Sequence, residues 1–433
     1  MFFITKKGLC RLVTVLVALW YFYLGVEYPG NLFAFHQGSK TSVAHAGSLP
    51  EEMGLPQTRR LLAAQVLLFN CQSYEEVEER IMELKEAGVN TLIFRSFQNR
   101  GDRFYAFARP RYKVGVYFDT EHASVVDPLL AKIVSIGHRH GLRVFAWMET
   151  RKMPLRLTDP EDSKALRYNF EKKTLQSISM WSIFDGRVVE KLVALYRDVV
   201  RTGVDGILFQ DDLISYQYED FSPMAVAAFE QETGKVLSPN SLYRTVFKGS
   251  NGRWYVREYY NTFWTWSRWK NQKLLKLAHR LIRAAREVNP RVQFAMNFMY
   301  ESVTQPKNAM AWLSQDIEES KKFPIDFYAI MAYHRQIKKE LRLSDEMAFE
   351  KIATMTAKLL KSIGDPNRIL MKIQVRDWET SEKIPSIEVD EVLRRINSQG
   401  RVSLAFVPYS ANTPLDVISH HFQERLADVA KKF

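Results

Sequence analysis

Two adjacent carboxylates end the most chemically suggestive stretch of the chain, Asp205-Gly-Ile-Leu-Phe-Gln-Asp-Asp212. The apolar run from Ile207 to Phe209 reads as a buried parallel strand that carries Asp211 and Asp212 to its C-terminal edge. Paired carboxylates across a groove can serve as acid and base, or acid and nucleophile, in breaking a glycosidic bond. Strand alternation sets Leu208, Gln210 and Asp212 on one face, and Ile207, Phe209 and Asp211 on the other. Asp212 is therefore expected to continue the inward row and act as general acid, its pKa raised by burial and by the charge of Asp211. Capping of the next segment is the structural alternative, although one cap does not need two acids.

Such a strand needs parallel neighbours and helical connections, and the sequence supplies both. Strand-like segments are expected at Ala63–Asn70, Thr91–Ser96, Val144–Glu149, the organising stretch itself, Val292–Phe298, Phe327–Ala332, Ile369–Val375 and Val402–Val407. Helices are expected at Tyr74–Ala87 (with Ser73 as N-cap), Asp127–His140, Arg187–Thr202, Trp254–Val288, Ala309–Lys322, Ser344–Ile363, Ile387–Gln399 and from Pro414 to Lys431. Eight strands, each followed by a helix, make the fold class α/β, a single (β/α)8 TIM barrel over residues 61–433. The excess length lies in excursions after strands two, three and four, which are loops of the active face.

That face nominates a site. The strand ends supply Arg95 and Asp102, then Trp147 and Glu149, then Gln210, Asp211 and Asp212. Asn297, Tyr300 and Glu301 follow from strand five, Tyr333 and His334 from strand six, Gln374, Arg376, Asp377 and Trp378 from strand seven, and Tyr409 from strand eight. Aromatic faces stack on sugar rings and amides bind hydroxyls, so the mixture suits a carbohydrate groove, with Glu149 or Glu301 as the carboxylate opposing Asp212. Plainer readings exist for several of these. Glu149 could pair with Arg151, Glu301 could lie in a solvated loop, and His334 lacks a His or Cys partner at metal-ligand spacing. Trp264, Trp266 and Trp269 sit at helical spacings that suit a core or interface better than a sugar platform.

Composition fits this picture. Of 433 residues, 46% are hydrophobic and 13% aromatic, enough for a large core with aromatics to spare for a groove. The formal charge of +12 is dispersed without a nucleic-acid-binding module, so no nucleic acid partner is expected. Two cysteines, Cys10 and Cys71, give neither a disulfide framework nor a zinc site, and no metal or other cofactor is expected. Lys6, Lys7 and Arg11 precede an uncharged run, Leu12 to Val26, which reads as an uncleaved signal anchor over residues 1–30. Cleavage near Ala44-His-Ala46 is the alternative, and residues 31–60 read as a linker. The expected place is the cell envelope, facing the periplasm, attached to the inner membrane or secreted.

From about residue 60 onward the chain resembles the C-terminal barrel domain of the PgaB family. The resemblance rests on Ala87-Gly-Val-Asn-Thr-Leu-Ile-Phe94 with Gly101-Asp102, Val144-Phe-Ala-Trp-Met148, the Asp205–Asp212 stretch and Gln374-Val-Arg-Asp-Trp378, in that order. It implies a glycoside hydrolase acting on partly de-N-acetylated poly-β-1,6-N-acetylglucosamine during biofilm exopolysaccharide export, with Asp211 and Asp212 in the groove. It also implies other export components as partners. The metal-binding motifs of that family's deacetylase domain have no counterpart here, so deacetylation is not expected. The alternative is an inactive barrel that binds polymer and guides it.

The chain departs from the family at Gln210, where His is usual, at Lys372, where an acid is expected, and at Tyr409-Ser-Ala411, where an acidic pair is expected. These departures imply a neutral or anionic polymer. Laid over the chitinase motif, strand four puts Asp212 at the catalytic acid but Leu208 and Gln210 at the supporting acids, which disfavours substrate-assisted cleavage.

Overall fold

A computed structural model describes residues 59–430. The segment expected to be an anchor or signal, and nearly all of the expected linker, lie outside the described residues. Eight parallel strands close into a barrel: β1 (Leu62–Val66), β2 (Thr91–Arg95), β3 (Arg143–Met148), β4 (Gly206–Phe209), β5 (Gln293–Phe298), β6 (Phe327–Met331), β7 (Ile369–Gln374) and β8 (Ser403–Tyr409). β8 pairs back onto β1, with Ala405 beside Ala63. The principal helices that follow them are α1 (Tyr74–Glu86), α2 (Leu130–Arg139), α3 (Gly186–Arg201), α4 (Asn261–Val288), α5 (Pro306–Leu313), α6 (Asp345–Ile363), α7 (Ser386–Gln399) and α8 (Leu415–Ala430). This is the TIM barrel architecture.

The strands read as apolar runs because both faces are covered. One face fills the barrel with Ala63, Ile93, Phe145, Leu208, Ala295, Phe327, Ala329, Leu370 and Ala405. The other packs under the helices, as with Val144, Ile207, Phe209, Phe294 and Ile330. Gly206 has a packing reason: a Cβ there would lie 2.5 Å from the Phe145 ring, so its absence lets that ring fill the barrel. Ser73 and Ser344 cap α1 and α6, each hydroxyl accepting a backbone N–H at 3.3 Å.

Two expected helices differ. Trp254–Tyr259, expected to open the long helix, is instead a strand paired antiparallel with Tyr243–Lys248. The connecting Gly249-Ser-Asn-Gly252 turn, with Gly252 at φ +76°, explains the hairpin, so α4 starts only at Asn261. The helix expected over Ala309–Lys322 breaks at Ser314, which adopts φ 50° and ψ 41°, and resumes as a short turn capped by Asp316. A second hairpin, Lys164–Asn169 with Thr174–Trp181, occupies the excursion after β3.

The insertions share a satellite core in which Phe221, Tyr243, Phe263, Trp266 and Trp269 are buried. A buried charge cluster fixes this layer to the barrel. Arg151 pairs with Glu219 at 3.0 Å, and Lys270 Nζ donates to the carbonyls of Tyr216 and Glu219. Among the described residues, no helix is long and apolar enough to cross a membrane.

Candidate active site

Above the apolar layer, the inward-facing residues turn polar, and they do so strand by strand. Gln65 follows Ala63 on β1, Arg95 follows Ile93 on β2, and Trp147 follows Phe145 on β3. Asn297 follows Ala295 on β5, while Lys372 and Gln374 follow Leu370 on β7. Gln210 lies just past β4 and accepts from Trp147 Nε1. Of this ring, Gln65, Gln374 and Lys372 are no more than 2% exposed.

Four buried polar atoms around the mouth have no hydrogen-bond partner among the described residues: Gln65 Oε1, Arg95 Nε, Glu149 Oε2 and Gln374 Oε1. Buried polar groups left in this state are costly, and sugar hydroxyls supply both donors and acceptors. On the β6 to β8 side, Met299, Met331, Tyr333, Trp378 and Val407 form a separate apolar cluster. Within it, the rings of Tyr333 and Trp378 meet at 5.4 Å in a T-shape, with Trp378 partly exposed.

The two neighbouring aspartates part company here. β4 ends at Phe209, Gln210 N makes one more bond to the Met148 carbonyl at 2.8 Å, and residues 211 and 212 lie in a turn, so alternation does not carry through to them. This corrects the expectation that Asp212 extends the inward row. Asp212 is fully buried: its two oxygens accept from Thr150 N at 3.1 and 2.9 Å, and Oδ2 also accepts from Lys152 N at 2.8 Å. Burial raises its pKa, and those backbone donors oppose the rise. Asp211 remains partly exposed and lies within the electrostatic reach of Lys152, Lys372 and Tyr333. Burial raises its pKa as well, and the two lysines pull it back.

Glu149 continues the inward row of β3. It is fully buried and accepts from Asn99 Nδ2 at 2.9 Å. Burial, then the charge of Asp212, pushes its pKa strongly upward, and burial raises that of Asp212 too, so this buried pair favours carrying a shared proton. Arg151 is committed to Glu219, so the Glu149–Arg151 pair does not form. Lys372 Nζ donates to Asn297 Oδ1 at 2.9 Å, and burial pulls its pKa down to about 7 against the opposing charge of Asp211.

Residues 79–407, well over half of the chain, match the family described as hypothetical glycosyl hydrolase family 13, GHL13. The chain belongs to that family. Two curated proteins called poly-beta-1,6-N-acetyl-D-glucosamine N-deacetylase, from Escherichia coli K12 and O157:H7, are each 24% identical over 262 residues. The match takes in 59% of this chain and 35% of each relative, so the chain spans about a third of their length. Among solved structures, the PgaB (BpsB) glycoside hydrolase domain from Bordetella bronchiseptica superposes with a TM-score of 0.67 at 20% identity, covering 84% of this chain and 98% of that one. The β-amylase catalytic domain from Paenibacillus polymyxa gives 0.55 at 11% identity over 84% and 97%. These superpositions support the barrel, and the resemblance to the PgaB barrel stands.

Several other nominated residues of this GHL13 barrel serve its walls. Arg95 Nη1 pairs with Asp102 at 2.9 Å, holding the loop after β2 against the mouth. Tyr300 donates to Glu340 at 2.6 Å. Glu301 lies near Glu340, and burial followed by that charge pushes its pKa up to about 8, so it is not a freely solvated acid. His334 is buried against Phe349 and bonded to Glu388 at 3.2 Å. Arg335 ties Asp377 (3.0 Å) to Glu388 (2.7 Å), joining the loops after β6 and β7. Tyr409 turns its ring onto Phe69 and Phe406, into the layer beneath the helices.

Gln65, Asn99 and Lys152 are additions to the nominated set. Gln65 was discoverable as a polar residue at the inward position of an otherwise apolar strand. Asn99 and Lys152 lie in loops whose paths no periodicity fixes.

Proposed function

We propose that this barrel is a glycoside hydrolase cleaving an exopolysaccharide of the poly-N-acetylglucosamine kind or a related biofilm polymer, during its export. The observation that carries the reading is the mouth itself: unpartnered buried acceptors, a partly exposed tryptophan and carboxylates in different surroundings, Asp211 near two lysines and Glu149 buried beside Asp212. Asp211, flanked by Lys152 and Lys372, would be the ionised partner, acting as base or nucleophile. Glu149, kept protonated by burial beside Asp212, would deliver the proton to the leaving oxygen. Asp212 would act through Glu149, as the fixed charge that keeps the proton there. Trp378 and Tyr333 would carry a sugar ring.

The supporting context is family membership and the names of the relatives; the polymer is carried over from those names only as part of this proposal. Deacetylation is not part of it. The apolar run Leu12 to Val26 behind a basic flank supports an envelope location facing the periplasm. Recovery of the protein from the cytosol on fractionation would contradict that location.

The test is release of reducing ends from acetylated and deacetylated poly-glucosamine and from neutral and uronic-acid polymers. An Asp211→Asn/Asp212→Asn double variant serves as control. Cleavage of one polymer, lost in the variant, is expected. Full burial of Glu149 and Asp212 favours a second reading, an inactive barrel that guides polymer. Binding to a polymer without release of ends would select it.

A further inference from the structure

Lys372 lies on the inward face of the mouth, 2% exposed, and so far it has only a hydrogen bond to Asn297 and a place near Asp211. It sits on the inward face of β7, one layer above Leu370, with Met331 of β6 beside it in register and Asn297 two strands away. An ammonium group has three N–H donors, and Asn297 Oδ1 accepts one of them. Among the described residues, no carboxylate lies within ion-pair distance of it. Asp211 acts on it only through its field, while Lys152 faces Asp211 from the exit of β3 and Tyr333 faces it from β6. A buried cation held by one neutral acceptor is an unusual thing to keep at the floor of a binding mouth.

We propose that Lys372 is a specificity residue: the sugar bound over the floor carries a carboxylate, as in a uronic acid, and that carboxylate pairs with the Lys372 ammonium. The proposal rests on the carbohydrate-binding reading of the mouth and narrows its substrate to the related-polymer branch, an acidic polysaccharide in place of poly-N-acetylglucosamine. The surrounding atoms fit such a ring. The hydroxyls can donate to Gln65 Oε1 and Gln374 Oε1, and Arg95 Nε offers a buried donor to an acceptor. A free amino sugar would instead bring a second cation onto Lys372. Burial lowers the affinity of Lys372 for its proton, and an arriving carboxylate restores it, so binding takes up protons.

The full chain is titrated calorimetrically with trimers of galacturonate, glucuronate and mannuronate, with their methyl esters, and with glucosamine trimers. Titrations are run at pH 6 and pH 8.5 in buffers of different ionisation enthalpy. The expected result is that at least one uronate trimer binds, with net proton uptake. Its affinity should fall at least tenfold on esterification, at least tenfold from pH 6 to pH 8.5, and at least tenfold in Lys372→Met. Lys372→Gln is a second neutral variant, and melting curves confirm that both fold.

Binding indifferent to esterification and pH, tighter binding of glucosamine trimers, or no binding of any uronate trimer would each overturn the proposal. The two readings fail separately. Uronate binding without release of reducing ends from a uronate polymer would sink the hydrolase alone. Cleavage of neutral polymer with none of this charge discrimination would sink the present inference alone.

Discussion

Both carboxylate oxygens of Asp212 accept from the backbone N–H of Thr150, at 3.1 and 2.9 Å, which locks the end of β4 to the exit of β3. The neighbouring Asp211 is left facing the mouth. In the proposed mechanism this adjacent pair divides into a structural acid, Asp212, and a reacting one, Asp211, and the two should separate under mutation.

Asp212→Ala removes the acceptor of one buried backbone donor, Thr150 N, and of one part-buried donor, Lys152 N. The expected loss is about 1–3 kcal/mol in urea unfolding for the buried Thr150 donor alone, with a smaller addition from Lys152 N. Asp211→Asn should shift stability by less than about 1 kcal/mol, as for a partly exposed position away from such features. Equal stability of Asp212→Ala and the unmodified protein would refute the locking role.

Burial and the charge of Asp212 push the pKa of Glu149 upward, and glutamine imitates the protonated form closely. Glu149→Gln should keep the melting temperature and lower turnover on the cleaved polymer roughly 10²–10⁴-fold, the usual range for losing a general acid. In the unmodified protein, turnover should fall on the alkaline side as Glu149 gives up its proton. Unchanged turnover in the variant would remove Glu149 from the reaction.

How much of this was readable beforehand depends on what kind of constraint each feature reflects. The strands were legible because each is buried on both faces and so reads as an apolar run, and the inward positions Leu208, Trp147, Asn297 and Gln374 follow from the two-residue repeat. That repeat holds only while the ladder holds. Past Phe209 the chain turns, and alternation misdirects Asp212. The hairpin at Tyr243–Tyr259 was hidden by its aromatic and charged residues running straight into a true helix, although Gly249-Ser-Asn-Gly252 marked its turn. Partners such as Arg151 with Glu219, or His334 with Glu388, are set by loop paths that no local pattern encodes.

Lys372 makes stability depend on pH in a definite direction. Its folded-state pKa, about 7, lies below the 10.5 of an ordinary lysine in the unfolded chain, so between these values the unfolded chain binds more protons. Stability contributed at this site therefore rises as pH increases from about 7 to 10.5. Lys372→Met should stabilise the protein by about 1–3 kcal/mol near pH 6, with the gain shrinking above pH 7. Urea midpoints at pH 6 and pH 9 measure this, and a gain independent of pH would contradict it.

Trp378 packs on Tyr333 and is partly exposed. Trp378→Ala should weaken binding of the cleaved polymer about tenfold to a hundredfold, roughly 1.4–2.7 kcal/mol, while turnover at saturation changes little. Loss of kcat with KM preserved would mean that Trp378 acts on the chemistry instead of on sugar binding.

The most direct measurement is the release of reducing ends by the unmodified protein and by Asp211→Asn, side by side, on the polysaccharide panel. The account predicts cleavage of at least one polymer by the first and a loss of at least about 10²-fold in the second, with the variant still folded and still binding that polymer. Equal release by both proteins, or binding with no release by either, would contradict it.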